Sequence, residues 1–266
     1  MVRRRLVESR ERAQQSIDAH RVLVGGSVAT KAARLVEPAD PIELVGDGPR
    51  FVSRGGEKLD AALEHFAVDV RGKRVFDAGA STGGFTDCVL QRGASSVVAV
   101  DVGFGQLHER LRADPRVEVV ERINLRTVDV EGRFEGRRFD VVVGDLSFIS
   151  LTSVGATLIE LTDPAGDLVL LVKPQFEAGR VEVSKGRGVV RTPEVWLGAL
   201  KRVVGAFAAR GAAMMGCMVS PIRGADGNVE FLVHLRQGGD LGRAIDDAVL
   251  AEAVATAERE RSARET

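Results

Sequence analysis

An α/β fold, with a mainly parallel seven-stranded sheet behind a small α+β N-terminal domain, is predicted by three features of the sequence. From Glu57 onward, apolar runs of strand length alternate with helical segments, the pattern of a sheet covered on both faces. Before them, Gly46-Asp47-Gly48-Pro49 interrupts the chain with residues that disfavour regular structure and sets a boundary near residue 50. Third, the glycine-rich run Asp77-Ala78-Gly79-Ala80-Ser81-Thr82-Gly83-Gly84 lies where a first strand turns into a helix. A chain of 266 residues has room for one ordinary domain and one small one.

Taken in order, a helix is expected over 9–20, with Ser9 as N-cap and Ala13, Ile17 and Ala19 near helical spacing. A hairpin follows, 22–24 and 27–28, around Gly25-Gly26, and then a strand over 42–45. Beyond the linker a helix is expected over 57–66. The strands are predicted at 74–76, 97–101, 117–121, 139–144, 168–173, 214–220 and 230–235. Helices between them are predicted at 84–92, 103–113, 153–161 and 193–210. The last two strands are separated only by Pro221-Ile222-Arg223-Gly224, which predicts an antiparallel edge hairpin. After Gly239 a final helix is expected, apolar at Leu241, Ile245 and Val249.

Composition excludes several classes. With 44% hydrophobic and 28% charged residues the chain reads as globular. No apolar run approaches the roughly 20 residues of a membrane span, and Met1 to Arg12 lacks the apolar stretch of a secretory signal. A cytoplasmic protein without membrane partners is expected. Cys88 and Cys217, the only cysteines, suit buried thiols better than a disulfide framework or metal knuckle, so no metal is expected. Net charge is −1, yet through Arg34 eight basic residues (3, 4, 5, 10, 12, 21, 31, 34) stand against three acids (8, 11, 18). Polyanion contacts should concentrate there.

In a strand-to-helix turn, glycines let the backbone approach a cofactor and the helix N-terminus offers free N–H groups. Gly79, Ala80, Ser81, Gly83 and Gly84 are therefore candidate cofactor contacts. Asp101, twenty-two positions after Gly79, ends the next strand and suits a ribose diol. The turn lacks the G-x-G-x-x-G of pyrophosphate sites, and its leading Asp77 would repel phosphates while suiting a cationic methionine moiety. This favours S-adenosylmethionine over NAD, and a methyltransferase over an oxidoreductase. Asn124 follows the third strand, where an amide can reach an adenine or simply form a turn.

Ligands of open parallel sheets bind beyond the carboxyl ends of the strands, where Asp145 and Lys173 end successive strands. Glu230 opens the last strand, and Lys58 starts the helix before the first. Neither cysteine is placed as a nucleophile for carbon methylation, and Asp145-Leu146-Ser147-Phe148 departs from the Asp/Asn-Pro-Pro-aromatic run of amine methylation. Phe148 and Phe176 fit either a core or a stacking platform for a flipped base.

The runs RGGEKL, DAGASTGGFTD, VGDLSFISL, VKPQFE, SKGRGVVR and GNVEFLVHL, in this order, resemble the TlyA family, named as haemolysins but associated with ribosomal RNA 2'-O-methylation, and more broadly the FtsJ-type methyltransferases. The resemblance implies a Rossmann-like methyltransferase domain and carries a Lys-Asp-Lys-Glu tetrad onto Lys58, Asp145, Lys173 and Glu230. Lys173 is then the candidate base, Asp145 and Glu230 orient and tune it, and Lys58 positions the substrate; Asp145 also faces the cofactor. The implied acceptor is a cytidine ribose in ribosomal RNA, presented on a subunit. The expected organisation is an RNA-binding domain over 1–46, a linker over 47–56, a methyltransferase domain over 57–239 and a tail over 240–266.

The runs SRERAQQSI and RVLVGGSVATKAARLV resemble the alpha-L RNA-binding module of ribosomal and pseudouridine-synthase proteins, with Arg10, Arg12, Arg21 and Lys31 as phosphate contacts. His20 stands where a glycine is usual and Gly25 where an asparagine is usual. Met1 to Val7 does not match the leading Arg-Leu-Asp segment of that module, so a shortened first helix and weakened RNA affinity are expected. A non-catalytic ribosome-assembly factor and a membrane-active haemolysin are the rival readings. Oligomeric state leaves no mark in the sequence.

Overall fold

A computed structural model describes residues 1–7, 10–18, 20–46, 48–178, 189–224, 227–238 and 247–265. Ser9 and the SKGRG part of SKGRGVVR, read above as an N-cap and a motif, lie outside the described residues, as do Leu241 and Ile245. The chain forms two compact units, Met1–Arg50 and Phe51–Thr266.

In the first unit, α1 (Arg10–Asp18) precedes β1 (Val22–Val24), β2 (Ser27–Val28) and β3 (Ile42–Leu44), which form an antiparallel sheet in the order β2-β1-β3. The β1–β2 turn is two residues long and both, Gly25 and Gly26, have positive φ (+58° and +77°). Such a turn matches the twist of paired strands and needs residues without a Cβ penalty. Ile17, Val22, Val24 and Ala29 form the small core. His20 sits between α1 and β1 at φ +56°, a left-handed conformation that glycine adopts freely and other residues adopt at a cost.

The second unit holds a seven-stranded sheet, order β6-β5-β4-β7-β8-β10-β9. Its strands are β4 (Arg74–Ala78), β5 (Ser96–Asp101), β6 (Val117–Glu121), β7 (Phe139–Gly144), β8 (Thr162–Val172), β9 (Ala212–Val219) and β10 (Phe231–Gln237). β4 to β8 pair in parallel, whereas β10 runs antiparallel to both β8 and β9. The expected closing hairpin therefore forms, but its second strand is inserted inside the sheet and only β9 is at the edge.

Both faces are covered, so the strands are continuous apolar runs. One face, including Phe76, Val142 and Leu170, packs on α5 (Val130–Phe134), α6 (Leu151–Glu160), α8 (Pro193–Ala208) and α9 (Asp247–Glu265). The other, including Val75, Val143 and Leu171, packs on α2 (Gly55–His65), α3 (Gly84–Gln91) and α4 (Glu109–Arg112). Phe51 and Val52, which the sequence places in the linker, are buried in this second layer. The tail helix α9 likewise packs on α8 and β9. Between Lys173 and the start of α8, a short α7 (Pro174–Glu177) follows β8 directly.

The helix expected over 103–113 shrinks to α4. Gly105 takes φ +70°, which breaks the helix, and the His108 ring accepts the Arg110 N–H to cap a new start. Among the described residues no helix is long and apolar enough to cross a membrane.

Replacing His20 by glycine relieves the left-handed backbone, and His20→Gly is expected to raise the stability of the first unit by about 1 kcal/mol. Chemical denaturation followed by amide hydrogen exchange in the first unit reads this directly; a destabilised variant would show that the His20 side chain contributes more than its backbone costs.

Candidate functional site

Four loops leave the carboxyl ends of β4, β5, β6 and β7 and enclose a pocket of about 550 Å³, a size suited to a small-molecule cofactor. Gly79, Ser81, Asp101, Asn124 and Asp145 all line it, so five of the residues singled out in the sequence meet in one cavity. Gly79 has φ +85°, and a Cβ on it would lie 2.8 Å from the Asp145 backbone oxygen. Only glycine lets the β4 and β7 loops approach this closely. The Asp101 carboxylate accepts the Ser81 N–H at 2.8 Å and the Gly103 N–H at 2.6 Å. It is thereby pinned at the pocket wall with lone pairs remaining for a ligand diol. Asn124 forms a turn, its Oδ1 accepting the Arg126 N–H at 3.0 Å, and still faces the cavity.

The rest of the glycine-rich turn lies off the pocket lining and meets close packing. Gly83 and Gly84 do not line the pocket; a Cβ on Gly83 would run into Leu111, and one on Gly84 into Ser53. Ala80 lies behind the pocket, beside Leu107 and Val119. Asp77 is fully buried below the turn, where its Oδ2 accepts the Thr86 hydroxyl at 2.6 Å and its Oδ1 has no partner. Burial pushes its carboxyl up to about 7, with the charges of Asp145 and Asp101 adding to the effect. It lies outside the pocket lining.

The four tetrad residues form two ion pairs. Lys173 Nζ lies 2.5 Å from Asp145 Oδ1 and donates to Ser147 Oγ at 2.8 Å. Lys58, on α2, donates to Glu230 Oε2 at 2.6 Å. Lys58, Lys173 and Glu230 are all under 10% exposed, and buried charges of this kind persist only when paired. The pairs are neighbours through the sheet. The last paired residues of β8 and β10 are Val172 and Phe231, so Lys173 and Glu230 stand one step further along the same antiparallel ladder, where opposite side chains share a face. Gly224 makes room for this: a Cβ there would collide with the Glu230 carboxylate.

Ser147 and Gly224 were missed by the sequence reading. A serine two positions after Asp145 was the available signal for the first; nothing in the pattern marks the second. Phe148 is 90% exposed at the pocket rim, at φ +63°, with its ring 5.3 Å from that of Phe176. The core alternative for Phe148 is thus excluded. In the first unit, Arg10 and Lys31 are exposed, and the Arg12 side chain lies outside what is described. Arg21 is engaged internally, donating to the Val45 and Gly46 carbonyls at 3.0 and 2.7 Å. It braces the exit of β3. Among the described residues no cluster of three or more His, Cys, Asp or Glu could hold a metal ion.

A sheet of this order with one reversed strand, a glycine turn after its first strand and a pocket at the carboxyl ends defines the methyltransferase class of α/β folds. The chain belongs to the FtsJ-like methyltransferase family, whose model matches residues 51–237, and within it to the TlyA group; the S4 domain model matches residues 1–42. It is 45% identical to the 16S/23S rRNA (cytidine-2'-O)-methyltransferase TlyA of Mycobacterium tuberculosis over 94% of this chain and 93% of that one. It is 40% identical to Hemolysin A of Brachyspira hyodysenteriae over 85% of this chain and 93% of the relative. Among solved structures, a haemolysin-named protein of Streptococcus thermophilus superposes with a TM-score of 0.78 at 38% identity, covering 98% of this chain and 94% of that one.

Asp77 carries a pH signature. Its folded value of about 7 exceeds the unfolded value of about 4, so between these pH values the native state holds a proton that the unfolded state has released. Its contribution to stability falls as pH rises through that window and is level above it. Asp77→Asn is expected to abolish this slope and to be more stable than the wild type above pH ~7; urea unfolding at a series of pH values, comparing the two, measures it.

Proposed function

We propose that this chain transfers a methyl group from S-adenosylmethionine to a ribose 2'-hydroxyl of ribosomal RNA, with a cytidine on a ribosomal subunit as the acceptor. The observation that carries this reading is that Lys173 pairs with Asp145 on the wall of the pocket that also holds Asp101 and Asn124, with the Lys58–Glu230 pair beside it on the β8–β10 ladder. The pocket residues fit the cofactor: Asp101 would accept the ribose diol, Asn124 would meet the adenine, and Gly79 gives the backbone close approach. Bound there, S-adenosylmethionine would supply an electrophilic methyl group on a cationic sulfur.

A ribose hydroxyl is a very weak acid and needs a base aligned with it as its oxygen attacks. Lys173, held at a fixed angle by Asp145 and Ser147, would first release one ammonium proton to solvent; its free Nζ lone pair would then take the hydroxyl proton and restore the ammonium paired with Asp145. Glu230 keeps Lys58 oriented, and Lys58 would draw the ribose into line and offset negative charge building on its oxygen. Phe148, exposed at the rim, offers a flat face on which a flipped base can stack. The acceptor chemistry is supported by what the thiols cannot do. Cys88 is buried within α3, burial pushes the Cys217 thiol up to about 12, and neither lines the pocket, so neither is placed to attack a pyrimidine carbon.

The S4 domain and the basic start of the chain suit a polyanionic partner. TlyA of M. tuberculosis, whose name specifies 16S and 23S rRNA, supports the choice of ribosomal RNA.

Tritiated methyl transfer from S-adenosylmethionine to subunits lacking the modification, with 2'-O mapping of the product, tests the reading. Lys173→Ala should lower kcat by about 100- to 10,000-fold while leaving cofactor affinity unchanged. Label on a base, or a Lys173→Ala variant as fast as wild type, would overturn it. In the same assay Asp101→Ala should weaken cofactor binding at least about tenfold, the loss of one or two charge-assisted hydrogen bonds, and calorimetry with S-adenosylhomocysteine reads that without RNA.

A further inference from the structure

Two short segments carry the groups that meet the acceptor: 145–150 after β7, with Asp145, Ser147 and Phe148, and 173–177 after β8, with Lys173 and Phe176. They start from adjacent parallel strands, where Gly144 pairs with Leu170. At their far ends they are joined by one side chain. Glu177 Oε2 accepts the Ser150 hydroxyl at 2.5 Å, and its Oε1 accepts the Leu151 N–H at 2.7 Å. Leu151 is the first residue of α6, and Ser150, its N-cap, accepts the Thr152 N–H at 3.1 Å. The carboxylate of one segment thus completes the helix cap of the other, at the end of a helix where negative charge is favoured. Glu177 is itself held, since Arg202 of α8 donates to its carbonyl at 3.0 Å.

We propose that Glu177 is a positioning residue for the reaction: it clamps the two segments together and so sets the placement of Lys173 relative to Asp145, Ser147 and Phe148. This rests on the methyl-transfer reading above. The loop held by the clamp contains a strained residue, because Phe148 adopts φ +63° without being glycine. Such strain persists only where the surroundings over-determine it, and the 145–150 segment is fixed at one end by β7 and at the other by Glu177. Released at the second end, Phe148 relaxes to negative φ, and the Lys173–Ser147 hydrogen bond and the Phe148–Phe176 contact are lost together. Glu177 is not part of the pocket lining, but residues 145–149 form one of its walls, so release of the clamp misplaces the reacting groups and also loosens that wall.

The test uses the full chain with Glu177→Ala, Glu177→Gln and Ser150→Ala. In single-turnover transfer to subunits lacking the modification, at saturating S-adenosylmethionine, Glu177→Ala should slow transfer about 10- to 100-fold, the range expected of ångström-scale misplacement. Because the cofactor is saturating, a loosened pocket wall neither masks nor mimics that fall in rate. Glu177→Gln, whose amide oxygen still accepts the Leu151 N–H, should recover much of the rate, and Ser150→Ala should fall between. A Glu177→Ala variant that transfers at the wild-type rate overturns the proposal. Hydrogen exchange of 145–151, measured without RNA, should quicken in Glu177→Ala while the sheet stays protected; unchanged exchange overturns the clamp whatever the activity. If Glu177→Ala fails to fold, the same rate and exchange comparison on Glu177→Gln and Ser150→Ala decides. A wild-type protein that binds cofactor and methylates nothing defeats the methyl-transfer reading alone, and the exchange result still judges the clamp.

Discussion

Everything at the carboxyl edge of the sheet depends on burying two ammonium groups, each against a carboxylate. A lone buried charge is costly, and removing one member of a buried pair typically costs about 3–5 kcal/mol. Lys58 and Lys173 can leave water only because Glu230, buried with Lys58, and Asp145, on the pocket wall beside Lys173, face them. The surrounding geometry serves that matching. Gly224 yields space to one carboxylate, Gly79 lets the loop bearing the other come close, and Ser147 takes a hydrogen bond that Lys173 would otherwise lack. The arrangement is a poor way to gain stability and a good way to hold polar groups in one orientation.

Much of this was legible in the sequence, for reasons that differ by residue. Asp145 and Lys173 were found because a charged residue after an apolar parallel strand falls at the ligand-binding edge. Glu230 obeys no such rule, since it precedes its strand rather than following one, and only the family resemblance gave it a role. The helix over 103–113 was overextended because Leu107 and Leu111 do have helical spacing and are both buried against the glycine turn; the break lies in one backbone angle at Gly105. Arg21, read as a phosphate contact, also braces the exit of β3 through two carbonyls, a role that charge composition does not announce.

The glycine-rich run shows the same limit at finer grain. Its letters suggest one job, cradling a cofactor, yet the structure divides it. Gly79 and Ser81 face the cavity, while Gly83 and Gly84 allow α3 to pack against α4 and the turn before α2. Asp77, the most diagnostic letter of the run, is removed from solvent altogether. A motif read as a string marks a place in the fold, and the division of labour within it is decided by packing.

The reversal of β10 has a consequence for how the chain tolerates change. In a strand whose neighbours run antiparallel, a shift by one residue turns every side chain to the opposite face. Glu230 sits immediately before the first paired residue of β10, so an insertion or deletion between Phe231 and His234 would swing the carboxylate away from Lys58. The irregularity lies on the other strand: β9 carries an unmatched residue, Met215, between the partners of His234 and Leu235, while β10 keeps its register with β8, and a bulge of this kind absorbs one extra residue in β9 without disturbing β10. Length variation is therefore accommodated in β9, at the sheet edge, and forbidden in β10. The site is insulated from the sheet edge by a built-in slack.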